Sequence, residues 1–451
     1  MKFCHSKLSL FFFLTISIFY SNKGCCYGFV QSKQTPFLSF PTNQEQSLRL
    51  KGIYYRPPES RQVWHYQVPQ SRPWKTTKEE EGKKHLDKDL KVLPVLNVIP
   101  RPKNTNERLR DLYNQGRLMR LSSLDTTEFE STWGLVPDVS HRPSILTLAI
   151  MTNNAYTSLN DTDSKYWYPL SPPWNVNSSF GWSDDGIRGH VFGNEDDSLL
   201  VITFKGTSAG LFTGGETGDR DKQNDNTLFS CCCARVSRMW QPVCDCYVGN
   251  TYQCESHCLE KALLEQELYY DHALEIFKEV SDRYPQSTIW LTGHSLGGAL
   301  SAMVGATFGV PTVTFESPGD QLPSSRLHLP RAPGAAHMPI WHFGHTADPI
   351  FVGVCTGPWS TCWYGGFALE TRCHTGKVCT WDTVNEHGWS VDIRSHRIGD
   401  VIDRILNQPD EFPSMPDCQP ESEECVDCQL WDYYDERDPL QSYYYQQRQQ
   451  L

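Results

Sequence analysis

The segment Ser287–Phe308 (STIWLTGHSLGGALSAMVGATF) constrains the fold of this chain more than any other. Its first part is rich in strand-forming residues, and its second part combines small and apolar residues that suit a helix packed tightly on a sheet. A G-x-S-x-G pattern lies between them, which is typical of a serine raised above a sheet on a sharp turn. We therefore predict that Ser295 is a nucleophile and that Gly293, His294 and Gly297 form its elbow.

The same pattern occurs a second time, centred on Ser208. That serine also follows a predicted strand, SLLVITF, but it leads into GLFTGGETGDRD, which is too rich in glycine to form a helix. The preceding Thr207 lies at the end of this strand, where a donor to an oxyanion belongs. We predict that the backbone N–H groups of Thr207 and Leu296 form an oxyanion hole. For Thr207 an ordinary strand-end turn is the alternative.

A serine hydroxyl becomes nucleophilic when a histidine accepts its proton and a carboxylate holds that histidine. In hydrolases with such an elbow, the acid and then the histidine follow the serine in the chain. We predict Asp348 as the acid, because HTADPI follows the apolar strand PIWHFGH, with Asp320 as the alternative. We predict His396 as the base, because it lies directly before the helical pattern RIGDVIDRIL. The alternatives are His387 and His374.

Strand patterns alternate with helix patterns from about Pro143 onward. The apolar spacing of Leu259–Tyr284 predicts one long amphipathic helix that ends at Pro285. This alternation indicates an α/β fold with a mainly parallel central sheet flanked by helices.

The N-terminus carries one long apolar run, Leu8–Tyr20 (LSLFFFLTISIFY), preceded by Lys2 and Lys7. A helix of this length rises about 20 Å, which is short of the roughly 30 Å of hydrocarbon in a bilayer. The length favours a cleaved signal peptide, but the following SNKGCC offers no small-x-small cleavage site, so an uncleaved signal anchor remains open. Both alternatives deliver the rest of the chain to the secretory lumen.

Cysteine usage agrees with a lumenal location. The chain has 17 cysteines, of which 14 follow Cys26. An even number in an oxidising lumen favours disulfides of undetermined connectivity. Zinc is the alternative, because one short region contains five residues of ligand-forming types: Cys244, Cys246, Cys254, His257 and Cys258. Two N-x-S/T sequons predict glycosylation at Asn160 and Asn177.

Charge limits the possible partners. Lysine and arginine number 41 and aspartate and glutamate number 53, which gives a net charge of −12. A surface that follows nucleic-acid phosphates is basic, so we expect no nucleic-acid partner.

Five motifs together resemble the class 3 (fungal) lipases: FKGT, GHSLGGALSAM, TFESPGD, HTADPI and SHRIGDVI. The vacuolar lipases of fungal autophagy resemble the chain more closely still, with their N-terminal anchor and cysteine-rich insertion. The resemblance implies the α/β-hydrolase fold and a triad of Ser295, Asp348 and His396, with no metal or cofactor. It also implies a glycosylated type II membrane protein that travels through the Golgi and multivesicular bodies to the vacuole. There it would hydrolyse phospholipids and neutral lipids and disintegrate autophagic bodies.

The expected organisation follows from these observations, in chain order: a cytosolic N-terminus at 1–7, a signal-anchor segment at 8–22, an irregular lumenal region at 23–132, a class 3 lipase domain at 133–410 with its cysteine-rich insertion at 231–258, and an acidic, Tyr- and Gln-rich mobile tail at 411–451. Two other functions remain open for the same sequence. One is a secreted carboxylesterase or cutinase-like enzyme with the same triad, and the other is a non-catalytic binding protein on a hydrolase scaffold.

Overall fold

The computed structural model describes most of the chain from Asn43 onward. The described residues are 43–58, 60, 62–68, 90–103, 128–156, 186–207, 218–235, 242–248, 252–332, 337–357 and 360–438. The predicted signal-anchor segment 8–22 lies outside them. Among the described residues, no helix has the length and apolar character needed to cross a bilayer.

The strands in the described part of the chain are β1 Gln46–Arg56, β2 Trp64–Gln67, β3 Leu90–Val92, β4 Pro94–Pro102, β5 Phe129–Pro137, β6 Ile187–Gly193, β7 Leu199–Phe204, β8 Gln253–Glu255, β9 Thr288–His294, β10 Thr312–Phe315, β11 Ile340–His345, β12 Lys377–Trp381, β13 Cys418–Pro420 and β14 Asp432–Tyr434.

The α-helices in the same residues are α1 Arg142–Asn154, α2 Gly218–Phe229, α3 Ser256–Glu265, α4 Tyr269–Arg283, α5 Leu296–Phe308, α6 Gln321–Arg326, α7 Thr361–Gly365, α8 Thr383–His387 and α9 Ile398–Asp400. A 3₁₀ turn covers Ile393–His396 and a π-helical turn covers Val401–Leu406.

One large sheet organises the molecule. Its strand order is β13-β12-β11-β10-β9-β7-β6-β1-β2, and β3 also pairs with β1. The central strands β7, β9, β10, β11 and β12 run parallel. The strands on either side of them pair antiparallel. The predicted α/β architecture with a parallel centre is therefore confirmed.

Strand β9 shows why the sheet is covered on both faces. Its side chains alternate in direction, as strand geometry requires. Trp290 Nε1 donates to the Leu135 carbonyl at 2.8 Å, and the Thr292 hydroxyl lies 3.1 Å from that of Thr152 in α1. The side chains that alternate with these, Ile289 and Leu291, belong to the apolar core that also contains residues of α4 and α5. The elbow strand is thus buried between helices.

The predicted single helix over Leu259–Tyr284 is wrong, because the structure has two helices, α3 and α4, in this region. The chain is extended at Leu268, and the Asp271 carboxylate accepts a hydrogen bond from the Leu268 N–H at 3.2 Å. A carboxylate in the first turn that accepts from the backbone N–H of the residue before the helix stabilises the start of a new helix. The apolar period continues across the break, so periodicity alone could not show it.

The prediction that residues 23–132 are irregular is also wrong for the described part of that region. Strand β1 pairs with both β6 and β2 in the large sheet. Its buried Arg56 forms ion pairs with Glu267, at 2.8 Å, and with Glu275. The α/β domain therefore begins well before residue 133. A buried arginine that pairs with carboxylates more than 200 positions away in the chain has no local signature.

The predicted mobile tail at 411–451 differs from the structure over residues 411–438, and residues 439–451 lie outside the described residues. Strand β13 pairs with β12, and β14 pairs with β8. Three disulfides also join this segment to earlier parts of the chain: Cys231–Cys428, Cys373–Cys425 and Cys379–Cys418.

The predicted disulfides are confirmed, since all 14 cysteines after Cys26 are paired. The other four bridges are Cys232–Cys254, Cys233–Cys244, Cys246–Cys258 and Cys355–Cys362. The cysteines proposed as zinc ligands are therefore held in disulfides. Three bridges lie within the cysteine-rich insertion, and a fourth joins the insertion to the C-terminal segment.

Candidate active site

The structure places Ser295 in the sharp turn between β9 and α5. Its φ of 57° and ψ of −133° put a non-glycine residue in the left-handed region of φ, as a strained elbow requires. The flanking glycines permit close approach of the backbone. A Cβ on Gly293 would lie 2.3 Å from the Gly297 carbonyl oxygen, and a Cβ on Gly297 would lie 2.3 Å from that of Phe204. A side chain at either position would disrupt the turn.

The three residues predicted as a triad are brought together by the structure. Ser295 Oγ lies 2.8 Å from His396 Nε2, and His396 Nδ1 lies 2.8 Å from Asp348 Oδ2. Asp348 follows β11 and His396 follows β12, while Ser295 follows β9. The chain order and the geometry are those needed for a histidine that accepts a serine proton and is held by a carboxylate.

The acid is held in its charged form inside the protein. Asp348 is fully buried, and burial by itself raises its pKa. The adjacent imidazole of His396 and hydrogen bonds from His396 and Glu316 act in the opposite direction and lower the pKa of Asp348 to about 2. Its second oxygen, Oδ1, accepts from the backbone N–H of Ile350 at 2.9 Å. Ser295 and His396 are also nearly covered, with 8 % and 6 % of their surfaces exposed.

Two further histidines hold the loop that carries the base. His294 Nε2 lies 2.6 Å from the His396 carbonyl oxygen, and His345 Nε2 lies 3.1 Å from that of Ser395. Burial lowers the pKa of both imidazoles, in the case of His294 to about 3, so both are neutral. Since a carbonyl oxygen only accepts, each ring carries its proton on Nε2. Consecutive carbonyls of the base loop are thus held by two neutral histidines.

Tyr156 contacts the other ring nitrogen of His294. Its hydroxyl lies 2.9 Å from His294 Nδ1, which accepts when the proton is on Nε2. The same hydroxyl lies 3.1 Å from the His294 carbonyl oxygen. Burial raises the pKa of Tyr156 above its usual range, so the hydroxyl keeps its proton. The elbow role of His294 was predicted from the sequence, whereas Tyr156 and His345 were not: Tyr156 belongs to no catalytic motif, and in HTADPI only Asp348 was singled out.

Thr207 and Leu296, the predicted oxyanion donors, lie at the elbow. A Cβ on Gly206 would lie 2.4 Å from the His294 carbonyl oxygen, so the strand end preceding Thr207 packs directly on the elbow. Thr207 Oγ1 donates to Asp225 Oδ2 at 2.7 Å, and both residues are buried. Burial raises the pKa of Asp225 well above its usual range. Asp225 is a third residue that was not predicted from the sequence. It lies in α2, which begins at Gly218 inside the segment GLFTGGETGDRD that was predicted not to form a helix.

The alternative acid and bases make other contacts. Asp320, whose pKa burial raises to about 6, accepts from the Thr375 N–H at 2.9 Å. His374 Nε2 donates to the Ser317 carbonyl at 3.0 Å. His387 stacks on Phe412 with ring centroids 4.1 Å apart. Each of these side chains has a structural partner. Three other predicted positions lie outside the described residues: Ser208, Asn160 and Asn177.

Four features together define the α/β-hydrolase fold: the parallel central strands, the strained elbow after β9, the acid after β11 and the histidine after β12.

The chain is a homologue of curated fungal proteins that carry the name "Putative lipase ATG15". It is 50 % identical over 306 residues to the one from Vanderwaltozyma polyspora, covering 66 % of this chain and 53 % of that protein. It is 49 % identical over 311 residues to the one from Saccharomyces cerevisiae, covering 67 % of this chain and 58 % of that protein. The resemblance predicted from the motifs is therefore confirmed.

Two further comparisons also found similar proteins. Residues 253–330 match a family model described as a Tle-like phospholipase domain. The solved structure of the Lip2 lipase from Yarrowia lipolytica is 16 % identical, with a TM-score of 0.27 over 52 % of this chain and 77 % of that one. The triacylglyceride lipase of Rhizomucor miehei is 13 % identical, with a TM-score of 0.27 over 53 % of this chain and 80 % of that one. Because these scores are low, the fold assignment rests on the sheet and the site. The chain spans between half and three fifths of the length of the curated relatives above.

Proposed function

We propose that this chain is a serine lipase or phospholipase that hydrolyses the acyl esters of membrane lipids. The observation that carries the proposal is the hydrogen-bonded series from Ser295 through His396 to Asp348, with both contacts at 2.8 Å. The names of the relatives and of the matching family model point to lipid esters as the substrate class.

The proposed reaction proceeds in two acyl-transfer steps. Ser295 Oγ attacks the ester carbonyl carbon while His396 Nε2 accepts the hydroxyl proton, and Asp348 stabilises the resulting imidazolium. The backbone N–H groups of Leu296 and Thr207 donate to the oxyanion of the tetrahedral intermediate. The intermediate collapses when His396 returns the proton to the leaving alcohol. Water then attacks the acyl-enzyme with His396 as the base, and a fatty acid is released.

The proposed location is the lumen of the fungal vacuole. A chain with seven disulfides matures in an oxidising compartment, and the N-terminal apolar run would deliver it there as a type II membrane protein through the Golgi and the endosomal multivesicular body. Within the vacuole, we propose that the substrates are the membranes of autophagic bodies and multivesicular-body vesicles, as the motif resemblance to the vacuolar lipases of fungal autophagy implies.

Substrate access distinguishes a lipase from a carboxylesterase with the same triad. Ser295 and His396 are only 8 % and 6 % exposed, and we propose that neighbouring residues move before a lipid chain reaches the hydroxyl. A membrane surface that stabilises the opened form would increase turnover. The test is hydrolysis by the purified chain of phospholipid vesicles and of a short monomeric ester, with Ser295→Ala as the control. Turnover that rises on vesicles supports a lipase, whereas equal or exclusive hydrolysis of the monomeric ester supports a carboxylesterase.

A further inference from the structure

The peptide unit between Gly206 and Thr207 contains one of the two N–H groups proposed as oxyanion donors. It lies directly on the elbow, since a Cβ on Gly297 would be 2.7 Å from the Gly206 nitrogen. A peptide unit is a rigid plane, so a group that holds its carbonyl oxygen also fixes the direction of its N–H. The orientation of the Thr207 N–H therefore depends on what the Gly206 carbonyl oxygen contacts.

That oxygen accepts a hydrogen bond from a largely buried lysine. Lys205 Nζ donates to the Gly206 carbonyl at 3.1 Å and lies 3.7 Å from Asp221 Oδ2. Only 13 % of the Lys205 side chain and 3 % of the Asp221 side chain are exposed. Lysine is seldom buried to this extent, because its charge loses hydration, and a nearby carboxylate offsets part of that loss. These two contacts restrain the ammonium group next to the peptide unit.

Helix α2 holds both ends of this peptide unit. Asp221 and Asp225 are four positions apart in α2, so their side chains lie on the same face of the helix, and both residues are buried. Asp225 accepts from Thr207 Oγ1 at 2.7 Å, while Asp221 pairs with the lysine that donates to Gly206. The carbonyl end of the unit is thus connected to one carboxyl group of α2, and the residue at its N–H end to the other.

We propose that Lys205 is a positioning residue whose ammonium group, paired with Asp221, holds the Gly206 carbonyl oxygen so that the Thr207 N–H points at the oxyanion of the tetrahedral intermediate. A hydrogen bond from a cation also polarises the peptide unit, which strengthens the N–H as a donor. Because negative charge develops on the oxyanion only during the reaction, this effect stabilises the transition state more than the bound ester. The inference rests on the proposed function, which supplies the reaction that the oxyanion hole serves.

Two variants of the full chain test the hydrogen bond. Lys205→Met has a side chain of similar length but no donor. It leaves Asp221 buried without its partner, which can prevent folding. The double variant Lys205→Met, Asp221→Asn removes both charges, so the effect on the peptide unit can be measured without an unpaired buried carboxylate.

The matched control is Lys51→Met. Lys51 is also buried and pairs with a carboxylate, since its Nζ lies 2.6 Å from Asp197 Oδ1. Asp197 precedes β7, whereas Thr207 follows this strand, so the control pair lies at the opposite end of β7 from the proposed oxyanion donor. The control variant therefore loses a buried lysine without any change at the elbow.

The first measurement is kcat and KM for a short ester, beside the inhibition constant of a trifluoromethyl ketone, whose adduct with a serine carries an oxyanion. In Lys205→Met and in the double variant, we expect kcat to fall about 10- to 100-fold while KM changes by less than about twofold. The inhibition constant of the ketone should rise by about the same factor as kcat falls, because the adduct resembles the tetrahedral intermediate. In Lys51→Met, we expect a lower melting temperature and an unchanged kcat.

An unchanged kcat in the double variant would overturn the inference, as would a rise in KM alone or an equal fall of kcat in Lys51→Met. The second measurement needs no turnover: crystal structures of the unsubstituted chain and of the double variant should show the Gly206–Thr207 peptide unit turned away from the elbow in the variant. If the unsubstituted chain hydrolysed no ester, the proposed function would fail, and the crystal structures alone would decide the inference. A turned peptide unit would then support the role of Lys205, and an unmoved one would contradict it.

Discussion

His294 donates its Nε2–H to the backbone carbonyl oxygen of His396 across 2.6 Å, and the two rings lie with centroids 4.7 Å apart. His294 directly precedes Ser295, so the turn that carries the candidate nucleophile also holds the candidate base. The 2.8 Å contact between Ser295 Oγ and His396 Nε2 therefore depends on a neighbouring contact made by the same turn. Losing the hydrogen bond between His294 and the His396 carbonyl is costly because the site is buried. Without the His294 donor, this carbonyl oxygen would have no hydrogen-bond partner.

We expect His294→Leu to lower kcat about tenfold with little change in KM, because the loss of one buried hydrogen bond of about 1–2 kcal/mol misplaces His396 in the transition state. Steady-state kinetics on a short ester measure this. His294→Gln, which offers a donor at the end of a side chain of similar length, should recover part of the loss. If His294→Leu changed KM and left kcat intact, the contact would not serve to position the base.

The contact between Thr207 Oγ1 and Asp225 predicts a second kinetic effect. This contact orients the strand end whose backbone N–H is the proposed oxyanion donor. Thr207→Val should therefore lower kcat by about 10- to 100-fold, which does not exceed the effect of removing an oxyanion-hole donor itself. Thr207→Ser keeps the hydroxyl and should retain most of the turnover. Equal activity of the Val and Ser variants would argue that the hydroxyl has no such role.

The disulfide Cys231–Cys428 joins residues 197 positions apart, whereas Cys355–Cys362 joins residues only 7 apart. In the chain-entropy account, a bridge that closes a longer loop stabilises more. Replacing both cysteines of the long-range bridge by serine should lower the free energy of unfolding by about 2–4 kcal/mol, and more than the same change in the short-range bridge. Denaturant unfolding under non-reducing conditions measures both. A smaller effect for the long-range pair would mean that the C-terminal segment is held by its other contacts.

Glu370 makes stability depend on pH in a defined window. Burial raises the pKa of Glu370 from 4.5 to about 6. The contribution of Glu370 to the free energy of unfolding is therefore fully present below about pH 4.5 and is lost as the pH rises through about 6, where the buried carboxyl group ionises. The loss amounts to about 2 kcal/mol of unfolding free energy. Glu370→Gln cannot ionise, so the variant should gain stability relative to the unsubstituted chain between pH 4 and pH 7 by about that amount. A difference that stays constant over this range would show that Glu370 does not titrate there.

The residues of the proposed triad could be predicted from the sequence because each has a local signature. Ser295 lies in a strand–turn–helix pattern, and Asp348 and His396 come at the ends of recognisable segments. Tyr156 acts through a contact with His294, 138 positions away in the chain, and no local pattern indicates which polar side chain will be buried beside another. The same reason explains the missed strand β1, whose residue Arg49 pairs with Gly193 in a strand far along the chain.

The central claim is that Ser295 is the nucleophile of a lipid-ester hydrolase. The most direct measurement combines fluorophosphonate labelling of the purified chain, mapped by peptide mass spectrometry, with fatty-acid release from phospholipid vesicles. The account predicts a single labelled residue, Ser295, and loss of both labelling and fatty-acid release in Ser295→Ala, with the melting temperature little changed because the small side chain adds little packing. Fatty-acid release retained by Ser295→Ala, or a label found on another serine such as Ser208, would contradict it.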